Sequence, residues 1–358
     1  MTANRCRLEK KPAGQSASTD LPPFKIAVLG AGNMGTALAH ALAGNGHEVT
    51  VWDFFPEVVE DIRTRHENRR FLPGVRLHAG IRAENSPVEG VTGAALVVVS
   101  VPSHFVRSTL APILPDLGKG AILLNVAKGF APGTRLPLPF LLERFAPGNP
   151  CVHLAGPAIA NEVARGQPAS IVLASADARA AERVAGWFAG RSFLPSTTTD
   201  VAGAAFGGIL KNVYGILLGS LAKLSGDSRN LEASLLTASV REMAAIAVAH
   251  GGQAATLYGL SGLGDLVATG FSRESHNRQF GEMLASGRTV AEIEKEFGWL
   301  PEGVRAAPLV CALAKAAGVP APLAGWVRRS VSGTPPSLDG LFRALRAAGQ
   351  SAGQTTPG

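Results

Sequence analysis

The chain has 358 residues, 46% of them apolar, and a formal net charge of +7. That length and apolar content suffice for about two domains with packed cores and exclude collagen-like or low-complexity chains. Lys and Arg are scattered without a block of five or six, so the positive balance points to an enzyme of anionic ligands and not to nucleic acid.

No apolar run reaches the ~18–20 residues that a spanning helix needs, and residues 1–23 lack the apolar block of a signal peptide. No membrane span is expected, and the chain reads as cytoplasmic. Residues 1–23, where Arg5, Arg7, Lys10 and Lys11 outweigh Glu9 and Asp20, read as a disordered arm. Cys6, Cys151 and Cys311 are far apart and lack C-x-x-C spacing, so neither a disulfide framework nor a zinc site is indicated. His40, His47, His66, His78, His153 and His250 show no metal-ligand spacing either, and no metal is expected.

In chain order, the apolar run Phe24–Leu29 reads as a buried parallel strand. Gly30, Gly32 and Gly35 follow in the G-x-G-x-x-G arrangement and open a helix that Gly46 ends. A second strand, Glu48–Trp52, delivers Asp53 close to the ~20-residue offset at which a carboxylate receives a ribose hydroxyl in dinucleotide-binding βαβ units. Pro56 starts a helix to about His66, Asn68–Gly74 reads as a loop, and a short third strand is expected at Val75–Leu77. Ala95–Val101 is a continuous β-branched run, as in a central strand buried on both faces. Further strands are expected at Ala121–Asn125, Cys151–Ala155, Ala169–Ala174 and Ser192–Leu194. The turns Pro102-Ser-His104, Lys128-Gly129 and Gly156-Pro157 at strand ends should converge on a ligand cleft. His104 fits a cofactor contact or a purely structural turn.

Strand signals stop at Thr197–Asp200, where the domain junction is placed. A helix follows in which Lys211 stands on a row with Gly208, Gly215 and Gly219; such neighbours leave room for a ligand or for another backbone. Tyr214, one turn on, fits a proton relay or a packed aromatic. A helix is expected over 231–250, then a turn Gly262–Asp265, and Ser275 reads as the N-cap of the next helix. Thr289 and Glu292 form a capping box for a helix stopped at Gly298. Helices are expected over 304–317, strained by Pro308, over 322–331 and over 338–348, with a disordered tail from Gly349.

Taken together, Gly30-Ala-Gly-Asn-Met-Gly-Thr-Ala37, Val101-Pro-Ser-His104, Ala127-Lys-Gly129, Ala155-Gly-Pro157, Gly207-Gly-Ile-Leu-Lys-Asn212, Gly262-Leu-Gly-Asp-Leu266 and Asn277-Arg278 before Phe280-Gly281 resemble the soluble NAD(P)-dependent glycerol-3-phosphate dehydrogenase family. The resemblance spans about residues 25–345. It implies an α/β Rossmann-type doubly wound sheet over 24–199, then an all-α C-terminal domain over 200–348, similar to that of 6-phosphogluconate dehydrogenase. The activity implied interconverts sn-glycerol 3-phosphate and dihydroxyacetone phosphate. A homodimer is carried as the assembly, although the sequence does not fix the number of subunits.

By that resemblance Lys211 and Asp265 are the catalytic pair. Proton movement at an alcohol oxygen needs a group that changes charge near neutral pH, and a lysine serves once burial and a second cation such as Lys128 lower its pKa. The resemblance puts Lys128, Gly156, Ala158, Ser275, His276, Asn277 and Arg278 around the substrate with this pair. It assigns the cofactor to Gly30, Gly32, Asn33, Met34 and Gly35, to Asp53, Phe54 and Pro102, and to Lys128, Ala160, His276, Leu300 and Glu302. NADH is expected over NADPH, because Asp53 would repel a 2′-phosphate and Phe54-Phe55 supply no cation.

Two departures fall where the substrate phosphate should sit. The family's Ser-Arg-Asn is Ser275-His276-Asn277 here, and the hydroxyl residue after Gly-Pro is Ala158. A neutral imidazole lacks the permanently charged fork of a guanidinium, so Arg278 or Arg273, with the helix N-terminus near Ser275, is expected to compensate. A paralogous NAD-dependent reductase of another small hydroxy compound is the alternative reading. A non-catalytic dinucleotide sensor would have little reason to keep both Lys211 and Asp265.

Overall fold

The β-branched runs pair into a single eight-stranded sheet. Its strands are β1 (Lys25–Leu29), β2 (Glu48–Trp52), β3 (Arg82–Glu84), β4 (Leu96–Val99), β5 (Ile122–Asn125), β6 (Cys151–Ala155), β7 (Ala169–Ala174) and β8 (Phe193–Thr198), in the spatial order β3-β2-β1-β4-β5-β6-β7-β8. The computed structural model describes residues 23–226 and 228–350; the expected N-terminal arm and the tail from 351 lie outside the described residues, except for Pro23. β4 and β5 are buried at every position, as strands covered by helices on both faces must be. Neighbours from β3 to β6 pair in parallel, so β1, β4, β5 and β6 end at one edge. β7 runs antiparallel to β6, and β8 follows β7 in parallel. The order reverses between β1 and β4, which is where such sheets open a crevice for a ligand.

The expected strand at Val75–Leu77 is not a strand. Leu77 is buried, but its N–H donates to the His66 carbonyl (2.8 Å), and the third strand is the edge segment Arg82–Glu84 beside β2. Three residues, two of them charged, show no periodicity that could announce it. The last helix, Leu338–Gln350, runs two residues past the expected 348.

Helices replace strands from Val201. The helix Val201–Ser225 carries the buried core of this half, with Ile209, Leu210, Val213, Ile216 and Leu217 all at most 2% exposed. Its most apolar 18-residue window has a mean hydropathy of 1.5, enough by length and composition alone to cross a membrane, but 89% of that window is buried against its neighbours, as in a core helix. The glycine row explains how those neighbours approach. A side chain at Gly219 would collide with the backbone of Arg278, and one at Gly215 would press on Thr269 and Asn277. The expected turn at Gly262–Asp265 is one π-helical turn, Leu260–Gly264, running straight into the helix Asp265–Phe271.

Candidate active site

The dinucleotide cradle is built by sterics. Gly30, at φ +97°, occupies backbone space that other residues rarely adopt, and a Cβ there would lie 2.8 Å from the Ser100 carbonyl oxygen. A Cβ on Gly35 would collide with the Gly30 carbonyl. The helix Asn33–Gly44 has Gly32 as its N-cap and no side chain bonded there, which leaves its first N–H groups to an anion. Beside it, Gly30, Gly32, Asp53, Phe54, Phe55, Phe71 and Pro102 line a largely apolar cavity of about 550 Å³. Phe54 is 77% exposed at its rim. These residues fit a dinucleotide: backbone donors for a pyrophosphate, and rings and aliphatic walls for an adenosine.

Asp53 has a second employment that its position in the sequence does not show. Its Oδ2 accepts the Ala31 N–H (2.7 Å) and its Oδ1 the Phe55 N–H (3.0 Å). Burial raises its carboxyl pKa against those two bonds. The expectation that no cation stands near Phe54-Phe55 is corrected. The Arg70 guanidinium lies 3.7 Å over the Phe55 ring.

At the other end of the cleft three chain segments bring two lysines onto one carboxylate. Lys128 follows β5, Lys211 stands mid-helix, and Asp265 opens the helix after the π turn. Lys128 Nζ donates to Asp265 Oδ2 at 2.5 Å, and Lys211 Nζ to Oδ1 at 2.8 Å, with the Asp265 side chain only 3% exposed. Gly208 makes room for the stem of Lys128. Burial pushes Lys211 down to about 8, with Asp265 opposing and Lys128 assisting. Burial alone would raise Asp265, but the two ammonium groups hold it below the usual carboxylate range. This cluster can move a proton near neutral pH. Lys211 Nζ also donates to Thr269 Oγ1 (2.8 Å), a residue the sequence reading missed; its signal was the i+4 spacing from Asp265.

A cavity of about 330 Å³ reaches from the first residues of the cradle helix to this cluster, and Asn33, Met34, Ala158, Ala160, Lys211, Asp265, Ser275, His276 and Asn277 line it. Ser275 caps the helix His276–Ala285 by accepting the Arg278 N–H (3.3 Å). Asn277 is held by the Asn212 carboxamide oxygen (3.0 Å) and the Gly303 N–H (3.0 Å). His276 is exposed at the rim and meets Trp299 edge-on at 4.5 Å, and partial desolvation by that packing lowers its pKa. The structure does not bring the expected compensating arginine here. Arg278 donates to Glu282 Oε1 (2.8 Å) and the Gly270 carbonyl (2.5 Å), Arg273 is exposed, and neither lines the cavity. Lys211 is the one Lys or Arg among its lining residues.

The remaining candidates lie around this frame. Gly156 is buried at the end of β6 at φ +93°. Glu302 accepts from Ser103 Oγ (3.3 Å), and burial raises its pKa. Leu300 packs against the helical core and does not line the cavity. His104 is exposed and stacks on Phe105. Tyr214 is fully buried and donates to Glu242 Oε1 (2.8 Å), the packed-aromatic alternative.

Comparison with known proteins agrees with this geometry. Residues 25–181 match the N-terminal profile, and residues 200–336 the C-terminal profile, of NAD-dependent glycerol-3-phosphate dehydrogenase. The chain is 41% identical over 298 residues to the glycerol-3-phosphate dehydrogenase [NAD(P)+] of Moorella thermoacetica, covering 83% of this chain and 88% of that one. It is 39% identical over 310 residues to the protein of the same name from Parvibaculum lavamentivorans, covering 86% and 92%. In structure it resembles the glycerol-3-phosphate dehydrogenase of Coxiella burnetii, with a TM-score of 0.83 at 29% identity, covering 90% of this chain and 98% of that one. With both profiles matched in sequence order along most of its length, the chain belongs to the NAD-dependent glycerol-3-phosphate dehydrogenase family.

Proposed function

We propose that this chain interconverts sn-glycerol 3-phosphate and dihydroxyacetone phosphate, with residues 24–199 as the dinucleotide-binding unit and 200–348 as the helical substrate unit. The observation that carries this reading is the Lys128–Asp265–Lys211 cluster at the wall of a cavity that also contains Asn33 and Met34 of the glycine cradle. When bound, the nicotinamide gives or takes the hydride. Lys211 donates the proton to the carbonyl oxygen in reduction and accepts it from the alcohol in oxidation, for which a pKa of about 8 suits it. Asp265 holds both ammonium groups in place, and Thr269 fixes the direction of Lys211 Nζ. Gly156, Ala158, Ser275, His276 and Asn277 surround the substrate, and Glu302 with Pro102 borders the cofactor. NADH is preferred to NADPH, because Asp53 lines the adenosine cavity with a carboxylate.

The phosphate corner leaves room for a second reading, a paralogous reductase of another small hydroxy compound. With His276 in place of an arginine and neither Arg278 nor Arg273 at the wall, Lys211 is the one Lys or Arg that faces a phosphate here, and a less highly charged hydroxy compound would need no more. One assay separates the readings: NADH oxidation measured against dihydroxyacetone phosphate and a panel of other ketones and keto acids. Fastest turnover with dihydroxyacetone phosphate supports the first reading. Turnover confined to another ketone sinks it in favour of the second.

A further inference from the structure

Behind the aromatic wall of the adenosine end stands a cation that chain order conceals, exposed and outside the cavity lining. Asn68 is 0% exposed, and its side chain is fully committed. Its Nδ2 donates to the Ala31 carbonyl (2.7 Å) and to Thr36 Oγ1 (2.8 Å), while its Oδ1 accepts the Phe71 N–H (3.0 Å). Ala31 is the middle residue of the glycine loop, and its own N–H goes to Asp53. The loop carrying residues 68–71 is therefore fixed to the pyrophosphate cradle by buried hydrogen bonds, although residues 68 and 31 are far apart in sequence. Arg70 rides on that loop. Its guanidinium lies 3.7 Å from the Phe55 ring centroid and 5.2 Å from that of Phe71, two rings that line the adenosine cavity. It is ion-paired with Glu57 and acts electrostatically on Asp53. Neighbouring Arg69 is taken up by Asp61 (2.7 and 2.9 Å) and does not compete.

We propose that Arg70 forms a subsite for the adenosine 2′-phosphate of NADPH, exchanging Glu57 for the phosphate, so that the segment Asn68–Phe71 sets how far this chain tolerates NADPH. The proposal rests on the reading that the cleft takes a nicotinamide dinucleotide. A guanidinium already stacked on a ring loses little freedom when it grips a phosphate through two N–H groups. The exchange swaps one anionic partner for another. Glu57, in the first turn of the helix Pro56–Arg65, is left solvated at a helix N-terminus that favours its charge. Asp53 opposes the phosphate and keeps NADH ahead; Arg70 limits the margin.

The test uses calorimetric titration of the enzyme with adenosine 2′,5′-bisphosphate and with 5′-AMP, alongside KM for NADPH and NADH, in wild type, Arg70→Gln and Glu57→Gln. Wild type should bind the bisphosphate more tightly than 5′-AMP. Arg70→Gln should weaken the bisphosphate and raise KM for NADPH by about tenfold, the scale of a lost charge-assisted contact, with KM for NADH within about twofold. Glu57→Gln, which frees the guanidinium, should lower KM for NADPH. A bisphosphate bound no better than 5′-AMP, or NADPH kinetics unmoved by both substitutions, overturns the subsite. Tight bisphosphate binding through Arg70, in an enzyme that turns over neither cofactor, would instead uphold the subsite and overturn the dehydrogenase reading.

Discussion

The two ends of the cleft are built by opposite means. The dinucleotide end relies on backbone and rings: a glycine at φ +97°, open helix N–H groups, and Phe54, Phe55 and Phe71 around an adenosine-sized space. The substrate end concentrates charge, with two lysines within 2.8 Å of one nearly inaccessible carboxylate. A group that is only held needs shape and fixed donors. A group that must exchange a proton needs titratable side chains withdrawn from water, where each shifts the others.

The sharpest way to break this division is Lys211→Ala. Turnover should fall by the ~10²–10⁴-fold typical of a positioned acid–base group, while NADH affinity stays within about twofold. Single-turnover kinetics with a separate NADH titration measure both. A variant that loses NADH affinity instead would mean that the two ends are not separate.

Charge coupling within the substrate end gives a paired prediction of opposite sign. The reducing direction needs the Lys211 ammonium, so its rate should fall as pH rises through about 8, and the oxidising rate should rise over the same range. Asp265 supports that ammonium and Lys128 opposes it. Asp265→Asn should move the reductive limb to lower pH with a severe loss of rate, and Lys128→Met should move it to higher pH. Limbs moving in the same direction in both variants would remove Lys211 as the titrating group.

The smallest expected effect is at the phosphate corner. With its pKa lowered by partial desolvation, His276 is neutral near pH 7.5, and His276→Arg should lower KM for dihydroxyacetone phosphate by about tenfold, the scale of one charge-assisted contact. A KM for dihydroxyacetone phosphate that responds neither to the substitution nor to pH between about 6 and 8 would place His276 outside the phosphate site.

The glycine cradle was legible in the sequence, because glycine spacing, a preceding strand and a following helix fall within one short stretch, whereas Phe71 and the two bonds of Asp53 were not. Lys128, Lys211 and Asp265 lie 137 and 54 residues apart in their pairings, so no local period joins them; the glycine row marks Lys211, but that the three belong together is implied only by the resemblance. Thr269 escaped notice because its i+4 spacing from Asp265 is a signal only once Asp265 is known to hold Lys211. Arg70 was invisible for the converse reason: it reaches Phe55 only because Asn68 fastens a distant loop to Ala31. The apolar Val75–Leu77 mimicked a strand because burial without pairing leaves the same apolar signal.

The reversed strands β7 and β8 act as a ruler. Thr198 of β8 lies beside Ala174, which faces His153 in β6, so the chain leaves the sheet short of the cleft edge. Asp200 anchors the next helix there, accepting the Gly203 N–H (2.8 Å) and the Gln253 N–H (2.9 Å). Ten residues from Val201 at ~1.5 Å each carry the backbone ~15 Å back up beside β6, which is how Lys211 arrives at Asp265. The origin of the measurement is therefore pinned and its length is counted in residues. One amino acid inserted between Asp200 and Lys211 would swing the lysine by ~100° around the helix axis, whereas one added to the connection between β6 and β7 would be absorbed before the count begins.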